Sequence, residues 1–167
     1  MLVLKRIGLV GLLFVFAWSA NTVAVEVGEP APQFGALTIG GERTISLAEY
    51  AGKVVILDFW ASWCGPCLVA MPELERLSNA LEPESAVLLA VSVDSDPKRA
   101  ARFMRKMGVS YDSLIDSDGK IAAQYDLPGM PTTYVINPEG LIVARHVGFK
   151  PGDEAKLASA VNDVLAK

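Results

Sequence analysis

The sequence predicts an α/β domain in which helices flank a central mixed β-sheet. Residues 54–60 and 86–93 are mainly apolar runs, typical of strands buried on both faces, and a helical pattern follows each of them. Near the C-terminus, a tight turn at residues 137–140 joins two further strands, 132–136 and 141–147, into a hairpin. Parallel strands joined by helices and completed by a hairpin form one mixed sheet.

Turn and capping residues predict the other elements. Pro72 should kink the helix after the first strand, Pro97 suits the start of the next helix, and Gly108 suits its C-cap. The apolar stripe of the first of these helices consists of Leu68, Met71, Leu74 and Leu77. In chain order, the pattern predicts an extended lead-in (27–33), a hairpin (34–47) turning at Gly40 and Gly41, a helical turn from Ser46 to Tyr50, helices over 66–81, 97–107 and 121–125, a turn at 116–119 and a closing helix over 153–167.

The first 24 residues predict a secretory signal peptide. Lys5 and Arg6 precede an uncharged stretch over residues 7–20, and residues 22–24 offer the small side chains that a signal peptidase recognises. An uncleaved N-terminal membrane anchor is the alternative, although the stretch is shorter than the roughly 20 residues that a span needs. Both interpretations divide the chain into a leader (1–24) and one domain (25–167) outside the cytoplasm, in the periplasm or its equivalent.

Composition and charge exclude several classes of protein. Hydrophobic residues make up 51% of the chain and charged residues 20%, which indicates a globular domain rather than a disordered one. The formal net charge is −4, and loss of Lys5 and Arg6 would make the domain more acidic, so no nucleic-acid partner is expected. One predicted helix is basic, which we interpret as a solvated face, with a docking surface for an acidic partner as the alternative. Its basic residues are Lys98, Arg99, Arg102, Arg105 and Lys106.

The chain contains only two cysteines, Cys64 and Cys67, and both lie between a predicted strand and a predicted helix. A disulfide that closes so small a loop adds little stability, which favours a redox role for the pair. Unpaired N–H groups and the dipole at the helix N-terminus should stabilise a Cys64 thiolate as the nucleophile, and Cys67 would resolve the mixed disulfide. A metal site is the alternative. It usually needs four ligands, and only His146, expected to face solvent, could add one, so no metal is expected.

Two further features point to the same site. Asp58 lies within the buried strand, and burial raises the pKa of a carboxylate so that it can exchange protons near neutral pH. We expect it to take the proton from Cys67; a polar strand residue without a catalytic role is the alternative. The Met130–Pro131 bond comes directly before a strand, where proline suggests a cis peptide bond, with a trans bond in an ordinary loop as the alternative.

Together these residues resemble the thioredoxin superfamily over about residues 27–165. Residues 63–67 (Trp-Cys-Gly-Pro-Cys) match its active-site motif, and Asp58 matches its buried aspartate. Pro72 corresponds to the kink in the active-site helix of the family, and Pro131 corresponds to its cis-proline. The resemblance implies a thioredoxin-like fold, here with an N-terminal β-hairpin extension.

Within that superfamily, the chain is similar to the exported TlpA/ResA/CcmG-like branch. Residues 27–34 (Val-Gly-Glu-Pro-Ala-Pro-Gln-Phe) match the N-terminal entry of the branch. Residues 52–55 (Gly-Lys-Val-Val) and 136–140 (Ile-Asn-Pro-Glu-Gly) match segments beside its strands. Ala70 and Gly65 depart from the branch, which often has glutamate at both positions. The centre is therefore closer to thioredoxin than to the members specialised in haem maturation.

The resemblance implies a protein-disulfide oxidoreductase in which Cys64 attacks, Cys67 resolves and Asp58 relays the proton. A redox-active Cys64–Cys67 disulfide would be its only redox group, with no separate cofactor. Pro131 would pack against the dithiol, and the Met130 backbone would pair with an extended substrate segment. The residues assigned to substrate binding are Trp63, Gly65, Pro66, Met130 and Pro131. A membrane thiol–disulfide transporter would keep the protein reduced.

We expect the protein to act mainly as a reductase of apocytochrome c cysteines, copper-site cysteines of an oxidase subunit or misoxidised proteins in general. A thiol oxidant is an alternative that the Gly-Pro pair between the cysteines disfavours by family resemblance. A thiol peroxidase is another, since residues 91–94 look peroxiredoxin-like, but Ala61 stands where peroxiredoxins have Thr or Ser. A copper or haem chaperone would use Cys64, Cys67 and Met130 as soft ligands.

Overall fold

The computed structural model describes residues 25–167, so the predicted leader, 1–24, lies outside the described residues. Within residues 25–167, no helix is long and apolar enough to cross a membrane. From Val25 onward, the chain forms a five-stranded sheet, a two-stranded hairpin and four α-helices.

The central sheet is mixed, as the sequence predicts. The strands are β1 (Gly35–Leu37), β2 (Thr44–Ser46), β3 (Val54–Trp60), β4 (Ala86–Ser92), β5 (Ser113–Ile115), β6 (Thr132–Ile136) and β7 (Ile142–Val147). In the large sheet the order is β5-β4-β3-β6-β7, with β3, β4 and β5 parallel and with β6 antiparallel to both β3 and β7. β1 and β2 form the predicted N-terminal hairpin. The edge strand β5 was not predicted.

The helices lie where capping residues and periodicity predict them. They are α1 (Cys67–Ala80), α2 (Pro97–Met107), α3 (Lys120–Tyr125) and α4 (Glu154–Leu165), and a single 3₁₀ turn (Leu47–Tyr50) follows β2. At the start of α2, the Asp96 carboxylate accepts a hydrogen bond from the Lys98 backbone N–H at 2.9 Å. Gly108 ends the helix with a φ of 68°, a left-handed conformation that glycine adopts without a steric penalty.

Strand β3 is buried on both faces, which explains why its sequence is apolar rather than alternating. Its side chains point alternately into two apolar clusters. The cluster under α1, α2 and α4 receives Val54, Ile56 and Trp60. The cluster under the N-terminal hairpin and α3 receives Val55, Leu57 and Phe59. Asp58 follows the first register, so its side chain points toward the helix α1 that carries Cys67.

Candidate active site

The two cysteines lie in the connection between β3 and α1 and at the start of α1. β3 ends at Trp60, and α1 begins at Cys67, one residue later than predicted. Cys64 and Cys67 are joined by a disulfide, with their Cα atoms 5.4 Å apart. Cys64 retains 5% of its surface exposed, whereas Cys67 is completely buried. An incoming thiolate or disulfide can therefore reach Cys64 but not Cys67.

The first backbone N–H group of α1 points at the outer sulfur. The Cys67 N–H donates to Cys64 Sγ at 3.3 Å. N–H groups in the first turn of a helix have no partner within the helix, and the helix dipole adds partial positive charge there. Once the disulfide is reduced, the same N–H can stabilise negative charge on Cys64 Sγ, as a nucleophilic thiolate requires.

Asp58 is fully buried in β3, on the face that α1 covers. Its Oδ1 accepts a hydrogen bond from Thr133 Oγ1 at 2.7 Å, while Oδ2 has no hydrogen-bond partner among the described residues. Burial raises the pKa of this carboxyl group to about 7, although the Thr133 hydrogen bond acts to lower it. The group can therefore both accept and release a proton near neutral pH.

Tyr111 is a buried neighbour of Asp58 that the sequence analysis missed. Burial raises the pKa of its phenol well above the ordinary value, and the negative charge of Asp58 adds to that rise. Its hydroxyl also lacks a hydrogen-bond partner among the described residues. The phenol therefore stays protonated and, like Asp58, retains unused hydrogen-bonding capacity inside the protein.

The Met130–Pro131 peptide bond is cis, which confirms the prediction for this bond. Because Thr132 pairs with Phe59, the bond lies at the end of the sheet where β3 runs into the dithiol loop. Met130 packs against the apolar cluster that includes both cysteines. Within the described chain, neither the N–H nor the C=O of Met130 takes part in a backbone hydrogen bond.

The surface around Cys64 is apolar and accessible. The Trp63 residue is 60% exposed, and Gly65 and Pro66 are also exposed. Leu68, which the apolar spacing places on one stripe with Met71, Leu74 and Leu77, is 44% exposed and lies outside the buried stripe of α1. The actual stripe of α1 is Cys67, Ala70, Met71, Leu74 and Leu77. Exposed apolar side chains clustered at a reactive group indicate a binding surface for another apolar group.

A carboxylate network holds the dithiol loop to the loop after β4, and the sequence analysis did not identify it. Asp94 is 2% exposed. Its carboxylate accepts hydrogen bonds from the Ser62 N–H (2.8 Å), Ser62 Oγ (2.7 Å) and Ser92 Oγ (3.0 Å). The isolated carboxylate directly after the apolar run 86–93 was the available signal. Because these hydrogen bonds hold Ser62 in place, they also restrain the backbone that leads to Cys64, two residues later.

The histidine considered as a metal ligand is engaged elsewhere. The His146 side chain is 22% exposed, so it faces solvent only in part. Its Nε2 lies 3.0 Å from the Asp153 carboxylate, and its ring packs edge-on against Phe149. Within residues 25–167, no three His, Cys, Asp or Glu side chains are grouped as metal ligands.

Comparison with known proteins agrees with the geometry of this site. The model of the AhpC/TSA family matches residues 27–145. The chain belongs to the AhpC/TSA family. The thioredoxin-like protein YneN of Bacillus subtilis (strain 168) is 34% identical to this chain over 149 residues, 88% of this chain and 86% of that protein. Thiol-disulfide oxidoreductase ResA of the same organism is 32% identical over 124 residues, 74% of this chain and 69% of that protein.

A solved structure supports the assignment of this chain to a thioredoxin-like fold. A crystal structure from Chlorobium tepidum, provisionally described as a thiol:disulfide interchange protein DsbE, has a TM-score of 0.79 and 30% identity. The match covers 85% of this chain and 99% of that one. The thioredoxin-like fold and the resemblance to the thioredoxin superfamily are thereby confirmed. The predicted enzyme class, a thiol–disulfide oxidoreductase, is confirmed as well.

Proposed function

We propose that this protein is an extracytoplasmic reductase of protein disulfides that works through Cys64 and Cys67. The observation that carries the proposal is the asymmetry of the pair. Cys64 is reachable and faces a backbone N–H group, whereas Cys67 is completely buried behind it. Such a pair suits a nucleophile and a resolving thiol.

In the first step, the Cys64 thiolate of the reduced protein attacks one sulfur of a substrate disulfide. The substrate S–S bond breaks, and a bond forms between Cys64 Sγ and the attacked sulfur. The other substrate sulfur leaves with the electron pair as a thiolate and takes a proton from solvent. The Cys67 N–H, 3.3 Å from Cys64 Sγ in the disulfide form, is placed to stabilise the attacking charge.

In the second step, Cys67 resolves the mixed disulfide. Asp58, with a pKa of about 7, is ionised in a large fraction of molecules at neutral pH and can take the proton of the Cys67 thiol. The resulting thiolate attacks Cys64 Sγ and releases the second substrate sulfur as a thiolate, which takes a proton from solvent. The substrate has then gained two electrons, and the protein holds the Cys64–Cys67 disulfide. A membrane thiol–disulfide transporter would supply two electrons to restore the dithiol.

Substrate binding would use the apolar rim and the cis-proline loop. Trp63, Gly65 and Pro66 surround Cys64 on the accessible side, and Leu68 extends this surface. The unpaired backbone groups of Met130, next to Pro131, could pair with an extended substrate segment as an added strand does.

The names of the relatives support the proposed class of substrate, and the predicted leader supports the proposed location. ResA is named a thiol-disulfide oxidoreductase, and the Chlorobium tepidum protein is described as an interchange protein. Residues 1–24 have the pattern of a signal peptide or membrane anchor, which would deliver the domain to the outer side of the membrane. Apocytochrome c and copper-site cysteines are substrates of the expected kind.

Replacing each cysteine tests the assigned roles. The Cys64→Ser variant of the full-length protein should lose reduction of insulin disulfides, because no accessible thiol remains. The matched variant Cys67→Ser should also fail to turn over, but should accumulate a mixed disulfide with the substrate, since only the resolving step is blocked. Thiol trapping followed by mass spectrometry measures both. Undiminished turnover of Cys64→Ser would contradict the mechanism.

The midpoint potential of the Cys64–Cys67 pair tests the direction of electron flow. A reductase should have a value near that of thioredoxin, about −270 mV, so that the dithiol gives up its electrons readily. Equilibration with a series of dithiothreitol redox buffers, followed by thiol trapping, gives the value. A potential near that of DsbA, about −120 mV, would instead identify a thiol oxidant.

A further inference from the structure

Helix α2 places a concentrated positive charge beside the dithiol. Its eleven residues include five Lys or Arg and no Asp or Glu, in a chain whose formal net charge is −4. The five basic residues are all exposed. The mechanism proposed above gives this charge no role.

Four of the five basic side chains of α2 line two separate depressions. Arg99, Arg102 and Lys106, spaced by three and four positions, line one open depression of about 250 Å³ together with Phe103 and Ser62. Arg105 instead lines a separate depression, beside Met104 and the N-terminal hairpin. We call the first of these the α2 basic groove; it is formed by Ser62, Arg99, Arg102, Phe103 and Lys106.

The α2 basic groove opens beside the reactive sulfur. Ser62 lies two residues before Cys64 and is held by two hydrogen bonds to the buried Asp94. Phe103 stacks on Trp60, the last residue of β3, with ring centroids 5.8 Å apart. Both walls of the groove are thus attached to the rigid elements that present the disulfide. A ligand seated there would approach Cys64 in a fixed position.

The charge of the groove is hardly neutralised by the protein itself. Arg102 lies 3.9 Å from Asp96, with both side chains more than half exposed, so this contact contributes little. Among the described residues, no carboxylate lies within ion-pair distance of Arg99 or Lys106. The groove therefore offers an unpaired positive field, with Phe103 as an apolar floor, next to the site of reaction.

We propose that the α2 basic groove docks an acidic segment of a redox partner protein, close in space to the cysteine that reacts with Cys64. This proposal rests on the function proposed above and specifies its partner. Two unpaired cations and one that is only weakly paired match Asp and Glu side chains, and the apolar floor accepts a neighbouring apolar side chain. A protein partner fits better than an anionic membrane, because the groove opens beside Cys64, which by the proposed function exchanges disulfides with a cysteine of another protein.

Binding tests the proposal without relying on redox turnover. The full-length protein is titrated with an acidic peptide that lacks cysteine and with a neutral peptide of the same length. The charge-reversal variant Arg99→Glu/Arg102→Glu/Lys106→Glu should bind the acidic peptide at least about tenfold more weakly, since three attractive contacts become repulsive. The control variant Arg105→Glu makes the same kind of charge reversal at one residue of the same helix outside the groove. Its affinity for the acidic peptide should stay within about twofold of the wild-type value. An unchanged affinity in the triple variant, or an equal loss in Arg105→Glu, would overturn the proposal.

A kinetic measurement connects the groove to catalysis. Disulfide-linked peptides with acidic or neutral flanks are reduced by each variant, and the ratio of the two kcat/KM values is compared. The ratio should favour the acidic peptide in the wild type, should fall about tenfold or more in the triple variant and should decrease with salt. Reduction of neither peptide by a wild type that still binds the acidic peptide would contradict the reductase function and leave the acidic partner supported.

Two other occupants are outcomes of the same set of variants. Binding to phosphatidylglycerol vesicles that the triple variant loses, without any preference for acidic peptides, would assign the groove to a membrane and overturn the proposal. Self-association that the triple variant abolishes, again without peptide preference, would assign it to a second copy of this acidic chain. Vesicle flotation and sedimentation velocity measure these two outcomes.

Discussion

Asp58 stays protonated to a higher pH in the folded protein than an aspartic acid does when it is exposed to water. The chain places it in the central strand β3, where every residue is buried, and gives it one hydrogen bond, from Thr133. A more complete set of donors would hold the pKa low and remove the group from proton exchange near neutral pH. The unpartnered Oδ2 is therefore the structural basis for the role proposed in resolving the mixed disulfide.

Burial of Asp58 makes the stability of the protein depend on pH. The native pKa is about 7, against 3.8 for the unperturbed group, so between these values the native state holds a proton that the unfolded state releases. Stability should therefore fall as pH rises from about 4 to about 7 and stay level above that. Asp58→Asn should remove this fall and stabilise the oxidised protein at pH 8 by up to about 4 kcal/mol. Urea unfolding at pH 5 and pH 8 measures it.

Asp153 offers a matched control, because its pKa is shifted in the opposite direction. Hydrogen bonds from Lys156, the Lys150 backbone and His146 lower the pKa of this carboxyl group to about 2. Its contribution to stability is complete above about pH 4 and is lost as pH falls through about 2. Asp153→Asn should therefore destabilise the protein at both pH 5 and pH 8, whereas Asp58→Asn should stabilise it at pH 8. An equal effect of Asp58→Asn at both pH values would contradict the assigned origin of the pH dependence.

At the scale of the element, the sequence predicts the helices and strands whose positions are set by nearby apolar, capping and turn residues. Strand β3 and helix α2 lie where the apolar run, Asp96, Pro97 and Gly108 place them. Strand β5 was not predicted because Ser113–Ile115 is too short to show an apolar pattern. Its extended conformation depends on contacts with other parts of the fold. It pairs with β4, and Ser113 accepts a hydrogen bond from Trp60 Nε1 at 3.0 Å.

The candidate site divides in the same way. Cys64, Cys67, Asp58 and Pro131 were identifiable because each is a rare residue type for its position in the predicted elements. The contacts of Asp94 with Ser62 and of Asp58 with Thr133 join residues 32 and 75 positions apart, and no local pattern encodes them. The exposure of Leu68 likewise depends on which elements cover α1, not on the spacing of its own apolar residues.

At the scale of the molecule, the N-terminal segment reaches both edges of the central sheet. On one side, residue Pro30 forms a bridge to Leu141, directly before the edge strand β7. On the other side, Thr38 forms a bridge to Leu114 of the edge strand β5. Between the two bridges, Phe34 is buried in the cluster that covers this face of the sheet. The segment therefore covers backbone groups that would otherwise invite pairing with another chain.

Arg145 fastens the start of this segment to β7. Its guanidinium donates to the Val25 backbone carbonyl at 3.2 Å and to Glu26 Oε1 at 3.1 Å. Next to it, the Gly28 N–H donates to the Ile142 carbonyl at 2.8 Å. Because a hydrogen bond to a partly buried group contributes about 1 kcal/mol, Arg145→Ala should let the segment open about fivefold more often. Hydrogen exchange of the Gly28 amide, followed by NMR, measures this opening.

The control for that measurement is Glu26→Gln, which removes only the exposed ion pair and leaves the hydrogen bond to the Val25 carbonyl in place. Exposed ion pairs contribute little, so exchange at Gly28 should change less than in Arg145→Ala. Amides of β3, such as that of Leu57, open only with the whole domain, so in the wild type their opening free energy should exceed that of Gly28. Equal opening free energies at Gly28 and Leu57 would mean that the segment opens only when the entire fold does. A lower value at Gly28 would establish that the N-terminal segment opens from the β7 edge as an independent unit, while the dithiol at the far end of β3 stays in place.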